Sequence, residues 1–554
     1  MADLTADAVV VGGGHHGLVA AAVLADAGWD VVLLEAEDEV GGAVRSREHD
    51  GFVVDRFSAF YPLGAGSPVL QALELEQHGL RWSRAPSVVA HPLGPDDDAG
   101  SVLHADPAET AAALDRDHAG DGETWWELVQ QWQRLRGPLL DALFTAWPPV
   151  RAGARLARAV GATDLLRFAR FLALPAQRMG QELFGGDRGR VLLAGNALHA
   201  DAPLVAPVSG TFGWLLLMLG QDVGFPVPVG GSGQLTAALR SRAESAGARV
   251  LTGERVTSVV APQGRALGVV TAGGRRVRAR RAVLADVAAP TLYRDLLPGS
   301  AVPARLLDDL DHFEWDLPTV KVNYSLTGRV PWRAAGSHGA GTVHLGADLD
   351  DDDRPQSGLD GLLHWETDLA RGRVPRHPFM IVGQMTTADP TRSPAGTESL
   401  WAYTHLPRPE AVRSAGGDQP EPAQVAELVE NLESTIERHA PGFGALVRDR
   451  SVQGPRDLEG ADGNLVHGAV NGGTAQLQQQ LVFRPVPGLG GPRTVVDRLY
   501  LASAGAHPSG GVHGGCGYLA ARAALRDAAP FGVLRRATSS ALLDLVYRAE
   551  PHDR

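Results

Sequence analysis

The stretch "DAVVVGGGHHGLVAAAVLADAGWDVVLLE", residues 7–35, decides the fold. An apolar run at 8–11, glycines at 12, 14 and 17, an alanine-rich helix to about 27 and a second apolar run ending in Glu35 make one strand–helix–strand unit. Gly12 permits a tight turn, Gly14 lets the backbone approach a pyrophosphate, and Gly17 lets helix and strand pack closely. The helix N-terminus turns its N–H donors toward the phosphate charge. Glu35, about 20 residues on, stands where a carboxylate accepts from a ribose diol. The order of parts marks an α/β dinucleotide-binding unit, and by itself it does not separate a nicotinamide dinucleotide from a flavin one.

Outward from this unit, "EVGGAVRSREHDGFVVD" (39–55) carries a second pair, Gly41 and Gly42, and ends in Asp55. In mid-chain, "VPVGGSGQLTAALRSRAESAGARVLTGERVTSVV" (227–260) leads from a Gly-rich turn through a helix to short alternating strands. Near the far end, "RLYLASAGAHPSGGVHGGCGYLAARAAL" (498–525) reads as a strand, a Gly-Ala-His-Pro turn, a Gly-Gly-Val segment and an alanine-rich helix. These motifs, in this order over almost the whole chain, resemble the phytoene desaturase-like flavoproteins of the flavin amine oxidase superfamily, in the branch named after pyridine nucleotide-disulfide oxidoreductase domain proteins.

The resemblance implies FAD as cofactor and an α/β fold: a discontinuous Rossmann-like FAD-binding domain joined to a substrate domain of mixed sheet and helices. The FAD domain is expected at 1–100, 226–300 and 490–530, a helical substrate lobe at 101–225, the substrate-domain sheet at 301–489 and a C-terminal helix or tail at 531–554. By the same resemblance Gly41 and Gly42 pass near the diphosphate and the flavin, Val256 offers its backbone to adenine, and Gly505 lies toward the ribityl chain or diphosphate. Reducing a flavin at N5 puts negative charge on N1 and the C2 carbonyl. Backbone N–H groups around Gly511, Val512 and Gly514, at a helix start, suit that charge. Two departures stand out: Ala43 occupies a place that is arginine in many members, with Arg45 two residues later, and Ser503 stands where glycine is common. No second strand-linked GxGxxG is present, so oxygen, a quinone or another carrier is the expected electron acceptor.

Of the 51 lysines and arginines, Lys321 is the single lysine. Arginine is a permanently charged fork, whereas a lysine amine has a pKa that burial moves into a range useful for proton handling. Thr319, Lys321, Asn323 and Ser325 alternate with Val320, Val322 and Tyr324, which predicts a strand with one polar and one apolar face. In the flavin amine oxidases, a strand of this kind carries a lysine close to flavin N5, and "VKVNYSLTGRVPW" resembles it in its spacing to Pro331 and Trp332. The resemblance thus gives Lys321 a catalytic role, holding a water or steering a proton. His199, in "AGNALHADAPL", is the second catalytic candidate, His513 in "GGVHGG" a weaker one, and His507 reads as structural. No HxH, HExxH or Asp-rich ligand set argues for a metal, and no GxSxG for a serine hydrolase.

In the helical lobe Asp106-Pro107-Ala108-Glu109 makes a helix start, and Trp125, Leu128, Val129, Trp132 and Leu135 recur at helical spacing as a core stripe. The basic, apolar segment 151–174 is either a membrane-surface helix or a lobe helix with a solvated arginine face. "DLDDDD" (348–353) reads as a solvated loop, and the amphipathic 533–548 as a lid or a contact between subunits of a homo-oligomer.

At 554 residues more than one lobe is expected, and a formal charge of -13 lacks the basic face that nucleic-acid binding favours. The single cysteine, Cys516, leaves no internal disulfide and no redox pair, and reads as a small packing residue. The first residues run almost at once into an apolar strand, and no stretch reaches roughly 18 uninterrupted apolar residues. A cytoplasmic location is the simple expectation. Together these readings point to an FAD-dependent dehydrogenase or desaturase that moves a hydride from a C–H bond of an apolar small molecule to flavin N5. The alternatives are a flavin amine oxidase, a redox-neutral flavin isomerase and a non-catalytic carrier of a lipidated partner.

Overall fold

The apolar residues 8–11 close a strand, Leu4–Val11, that pairs in parallel with Val31–Leu34 on one side and Arg276–Ala285 on the other. A parallel sheet is covered on both faces, so its strands are continuous apolar runs rather than alternating ones. Residues 8–11 and 31–34 are accordingly all buried. The computed structural model describes residues 3–347 and 358–547, and the acidic run 348–353 lies outside them. Across the first sheet the order is Val256–Val260, Gly268–Thr271, Arg276–Ala285, Leu4–Val11, Val31–Leu34, Arg249–Leu251, and Leu499–Leu501 also pairs in parallel with Arg276–Ala285. One sheet thus collects strands from the start, the middle and the end of the chain.

The two ends are bound together by helices. Helix His15–Asp26 packs on Gly515–Ala528 through a core that includes Leu18, Ala21, Ala520 and Ala524. They cross at Gly517, where a Cβ would stand 1.9 Å from the His16 carbonyl oxygen. Only a residue without a side chain permits that approach.

A second sheet runs Val447–Gln453, Thr319–Leu326, Glu398–His405, Met380–Gln384, Ala340–Leu345, Ser87–His91, Ser101–His104. Its last two strands come from 87–104, a stretch that the sequence reading divided between the dinucleotide domain, to 100, and the helical lobe, from 101. Strand Thr319–Leu326 is buried along its whole length. Its apolar side, Val320, Val322, Tyr324 and Leu326, packs with Leu428, Leu432 and Ile436 of helix Glu421–His439. The polar side is buried as well, and from it Lys321 donates to the backbone carbonyl of Asp55, at the end of the hairpin strand Phe52–Asp55.

Asp106 caps helix Pro107–Asp117 by accepting from the Ala108 N–H at 2.8 Å. The stripe of Trp125, Leu128, Val129, Trp132 and Leu135 on helix Asp121–Leu143 is buried in the helical lobe. Segment 151–174 divides into Val150–Val160 and Leu165–Ala173, which bury Ala152, Val160 and Phe168 and expose Val150 and Leu166. The last helix, Gly532–Tyr547, is tied down by the Tyr547 hydroxyl donating to the Pro487 carbonyl at 2.5 Å. Among the described residues no helix is long and apolar enough to cross a membrane.

A buried ion triad joins the end of the hairpin strand Phe52–Asp55 to the turn Pro390–Arg392. Arg392 donates from Nη1 to Asp55 Oδ2 at 2.9 Å and from Nε to Asp389 Oδ2 at 3.0 Å, and both Arg392 and Asp55 side chains are 0% exposed. Asp55 Oδ1 accepts from Ser46 Oγ and from the Ser232 N–H, each at 2.7 Å. Breaking such a pair leaves an uncompensated buried charge. Arg392→Met is expected to destabilise the fold by about 3–5 kcal/mol, read as a shifted midpoint in urea denaturation at unchanged slope.

Candidate active site

The glycine loop between the first strand and the first helix is shaped by contacts that no side chain could share. Gly12 has φ +96°, and a Cβ there would stand 2.5 Å from the Asp286 carbonyl oxygen; a Cβ on Gly17 would stand 2.1 Å from the Gly12 carbonyl oxygen. Gly14 faces the Asp286 carboxylate, which would lie 2.8 Å from its Cβ. The Gly17 N–H donates to Asp286 Oδ2 at 2.7 Å, so one helix-terminal donor is already engaged within the protein.

Glu35, at the end of Val31–Leu34, accepts from the Gly13 N–H at 2.6 Å and the Glu37 N–H at 2.9 Å. Its backbone carbonyl accepts from the Glu254 N–H at 2.7 Å, two residues before Val256, the first residue of strand Val256–Val260. Gly41 and Gly42 have φ +130° and +53°. The Gly41 N–H donates to the Gly13 carbonyl at 2.8 Å, docking the second glycine pair beside the first loop. Arg45 braces this turn, donating to the Gly42 and Ala461 carbonyls at 2.9 and 2.6 Å.

Three carboxyls surround the loop. Burial pushes Asp286 up to about 8, offset in part by the Gly17 N–H. Burial also raises Glu35 and Asp462, each against backbone hydrogen bonds that pull down. A protonated Asp286 removes a negative charge from a place suited to an anionic ligand.

From the far end of the chain, Gly511, with φ +109°, and Val512 form part of a cavity wall, while Gly514 caps helix Gly515–Ala528 and packs on Val19 and Leu70. Gly514 is thus a packing and capping position outside the wall. Gly505 sits in the preceding turn, donating to Ser503 Oγ at 3.2 Å. His513 is used up locally: its Nδ1 accepts from the Gly515 N–H at 2.9 Å and its Nε2 donates to the Ser509 carbonyl at 3.2 Å. Although ligand atoms of His16, His513 and Cys516 lie within 4.8 Å of one another, those bonds occupy the His513 ring, and burial pushes the Cys516 thiol up to about 12.

The cavity holds about 390 Å³. It runs between the 57–64 turn, helix Ser209–Val223, the second sheet and the Gly511–Val512 turn, and among the described residues its lining contains no Asp, Glu or Arg. Lys321 lies in the wall, 4% exposed, with Nζ donating to the Asp55 carbonyl and standing 5.6 Å from the Trp401 ring centroid. Burial pushes its ammonium down to about 7, with Asp55 partly opposing. The single lysine therefore changes charge near neutrality, which an arginine would not. His199 lines the same cavity, its Nε2 2.9 Å from His344 Nε2, and burial pushes it down to about 3. It is a neutral imidazole at physiological pH, a hydrogen-bonding group rather than an acid.

Residues 17–392 match the family described as flavin containing amine oxidoreductase. The chain belongs to that family. It is similar to pyridine nucleotide-disulfide oxidoreductase domain-containing protein 2 of Rattus norvegicus, 28% identical over 94% of this chain and 93% of that one. It is also similar to phytoene dehydrogenase of Streptomyces griseus, 26% identical over 81% and 82%. Wild-type putrescine oxidase bound to putrescine shares the fold at TM-score 0.58 and 16% identity, over 95% of this chain and 99% of that one. As a flavin containing amine oxidoreductase the protein is a flavin-dependent oxidoreductase enzyme.

Sequence reading placed Gly12, Gly14, Gly17, Glu35, Gly41 and Gly42 in a region that the structure assembles into one cradle, and Lys321, His199, Gly511 and Val512 in the walls of one cavity. It missed Asp286, Asp462, Asn196, Thr342 and His344. Asp286 had a usable signal, since it follows the apolar run "AVLA" (282–285) at the C-terminal end of a parallel strand, where α/β sheets bind ligands. In this family member, Gly17→Val would drive a branched side chain into the Gly12 carbonyl. Flavin occupancy, read as visible absorbance per protein, should fall at least roughly tenfold, with the melting transition of the rest of the molecule retained.

Proposed function

We propose that the protein is an FAD-dependent dehydrogenase or desaturase that removes a hydride from a C–H bond of a neutral, largely apolar small molecule. The observation that carries this reading is the wall of the cavity: mostly apolar, with neutral polar groups and, among the described residues, no carboxylate or guanidinium, and with one amine whose pKa burial lowers to about 7. A cationic amine substrate would find no counter-charge among the described lining residues and would meet Lys321. The phytoene dehydrogenase similarity supports oxidation of a carbon skeleton.

The donor set suits the cofactor. Gly12, Gly14 and Gly17 with Gly41 and Gly42 would hold the diphosphate, Glu35 the ribose and Val256 the adenine end, with Gly505 nearer the ribityl chain. Bound there, FAD would supply the hydride acceptor. Around it the chain would do three things. Gly511 and Val512, next to a helix start, would offer backbone N–H groups to negative charge. Apolar walls would exclude water and hold the substrate. Lys321 would keep or release a proton at Nζ as its amine titrates. Reoxidation by oxygen or a quinone is part of the same proposal.

One feature favours amine oxidation as a second reading: Trp401 and Tyr403 stack at 5.8 Å with their planes 27° apart in the cavity wall. Anaerobic mixing with polyenes, acyl compounds and amines separates the two, because the true class bleaches the flavin without an acceptor. Lys321→Met should retain the yellow cofactor and slow one half-reaction by about 10²-fold. The wild-type rate should rise with pH through about 7 as Nζ loses its proton, and the variant should lack that limb. Equal rates in both half-reactions would remove Lys321 from the mechanism.

A further inference from the structure

The cavity has a second polar end, distinct from Lys321. Strand pairing puts Lys321 opposite Tyr403, Tyr403 opposite Ile381 and Ile381 opposite His344, one row across four strands. Three strand spacings separate the ends of that row by about 14 Å. At the His344 end, Asn196 and Thr342 line the cavity at 0% and 1% exposure, and Asn196 Oδ1 and Thr342 Oγ1 have no hydrogen-bond partner. The Asn196 amide is oriented by its Nδ2, which donates to the Leu192 carbonyl at 2.8 Å, so the oxygen is the end left without a partner.

His199 completes the group. Its Nε2 pairs with His344 Nε2 at 2.9 Å, while His344 Nδ1 is buried with no hydrogen-bond partner. A proton on that nitrogen would be a stranded donor, so it is assigned to His344 Nε2 and donated to His199, whose own proton then sits on Nδ1. Helix Asp187–Ala197 and the turn Leu198–Ala200 bring Asn196 and His199, and alternate positions of strand Ala340–Leu345 bring Thr342 and His344.

Buried polar atoms without partners are uncommon and costly, and in the wall of a substrate cavity they call for a ligand group. Asn196 Oδ1 needs a donor, whereas Thr342 and His199 can each donate. Among the described residues no charged side chain shares the recess: Lys321 is at the other end of the row, and no described carboxylate or guanidinium lines the cavity. A carboxylate would face the Asn196 oxygen, and an ammonium would lack a counter-charge. We propose that this recess is a substrate-binding subsite for a hydroxyl group, and that the substrate is an apolar alcohol whose hydroxyl is remote from the bond oxidised beside Lys321. The proposal rests on the oxidoreductase reading above and deepens it.

The test is binding to flavin-loaded protein by calorimetry, with 1-dodecanol and its methyl ether as probes. The ether keeps the acceptor oxygen and the apolar chain but loses the donor. Wild type should prefer the alcohol at least roughly tenfold. Thr342→Val, close in shape, and Asn196→Ala should each erase most of that preference while leaving ether affinity, flavin content and melting temperature nearly unchanged. Equal affinity for alcohol and ether in wild type would overturn the subsite, and would mean that the recess holds only water. Loss of both affinities together in Thr342→Val would assign Thr342 to packing and overturn its role. Flavin bleaching keeps the two readings apart: bleaching by polyenes without alcohol preference leaves the enzyme reading standing, and alcohol preference without bleaching by any probe leaves only the subsite.

Discussion

Asp55 is the residue on which the arrangement depends. Its carboxylate anchors Arg392 and the Ser232 N–H, and its backbone carbonyl takes the Lys321 ammonium. One residue therefore ties strand Thr319–Leu326, the turn at Arg392 and the Ser232 backbone together, and also holds the amine of the cavity wall in place. The carboxylate can do this without solvent because each oxygen has a partner, Arg392 on Oδ2 and Ser46 and Ser232 on Oδ1. A buried charge so saturated sets relative position more than it adds stability. Burial draws the Lys321 pKa toward neutrality, the Asp55 charge partly opposes this, and Arg392 adds like charge.

The cradle obeys a steric constraint of the same strictness. Gly12, Gly17 and Gly517 lie where a Cβ would stand within 2.5 Å of a backbone oxygen. These contacts let a loop, a helix from the start of the chain and a helix from its end share one small volume. Side-chain carboxyls fill the remaining polar positions. Asp286, protonated near neutrality by its burial, is both a partner for the Gly17 N–H and a neutral neighbour for the proposed diphosphate.

Lining and polarity then divide the cavity by distance. The near-neutral amine stands at one end of a register row and the unpartnered Asn196 and Thr342 atoms stand at the other. Between them Trp401 crosses over Gly383, where a Cβ would lie 2.2 Å from the indole, so the wall is flat and apolar in the middle. Such a surface orients an elongated molecule by its ends rather than by its length.

The sequence by itself determined what depends on neighbours along the chain: the parallel strands as unbroken apolar runs, the glycine spacing, the acid after the second strand, the capped helix at Asp106 and the two-faced lysine strand. Each is a local rule of backbone conformation or periodicity, legible in a window of ten to thirty residues. Only the tertiary structure decided that strands 87–104 complete the substrate sheet, that Asp286 occupies a helix-terminal donor, that Gly514 caps and packs instead of lining the cavity, and that Lys321 and His344 fall on one row. Those facts follow from register and close approach between segments tens to hundreds of residues apart, and the energy that selects them is in burial and pairing across space, which no local pattern encodes.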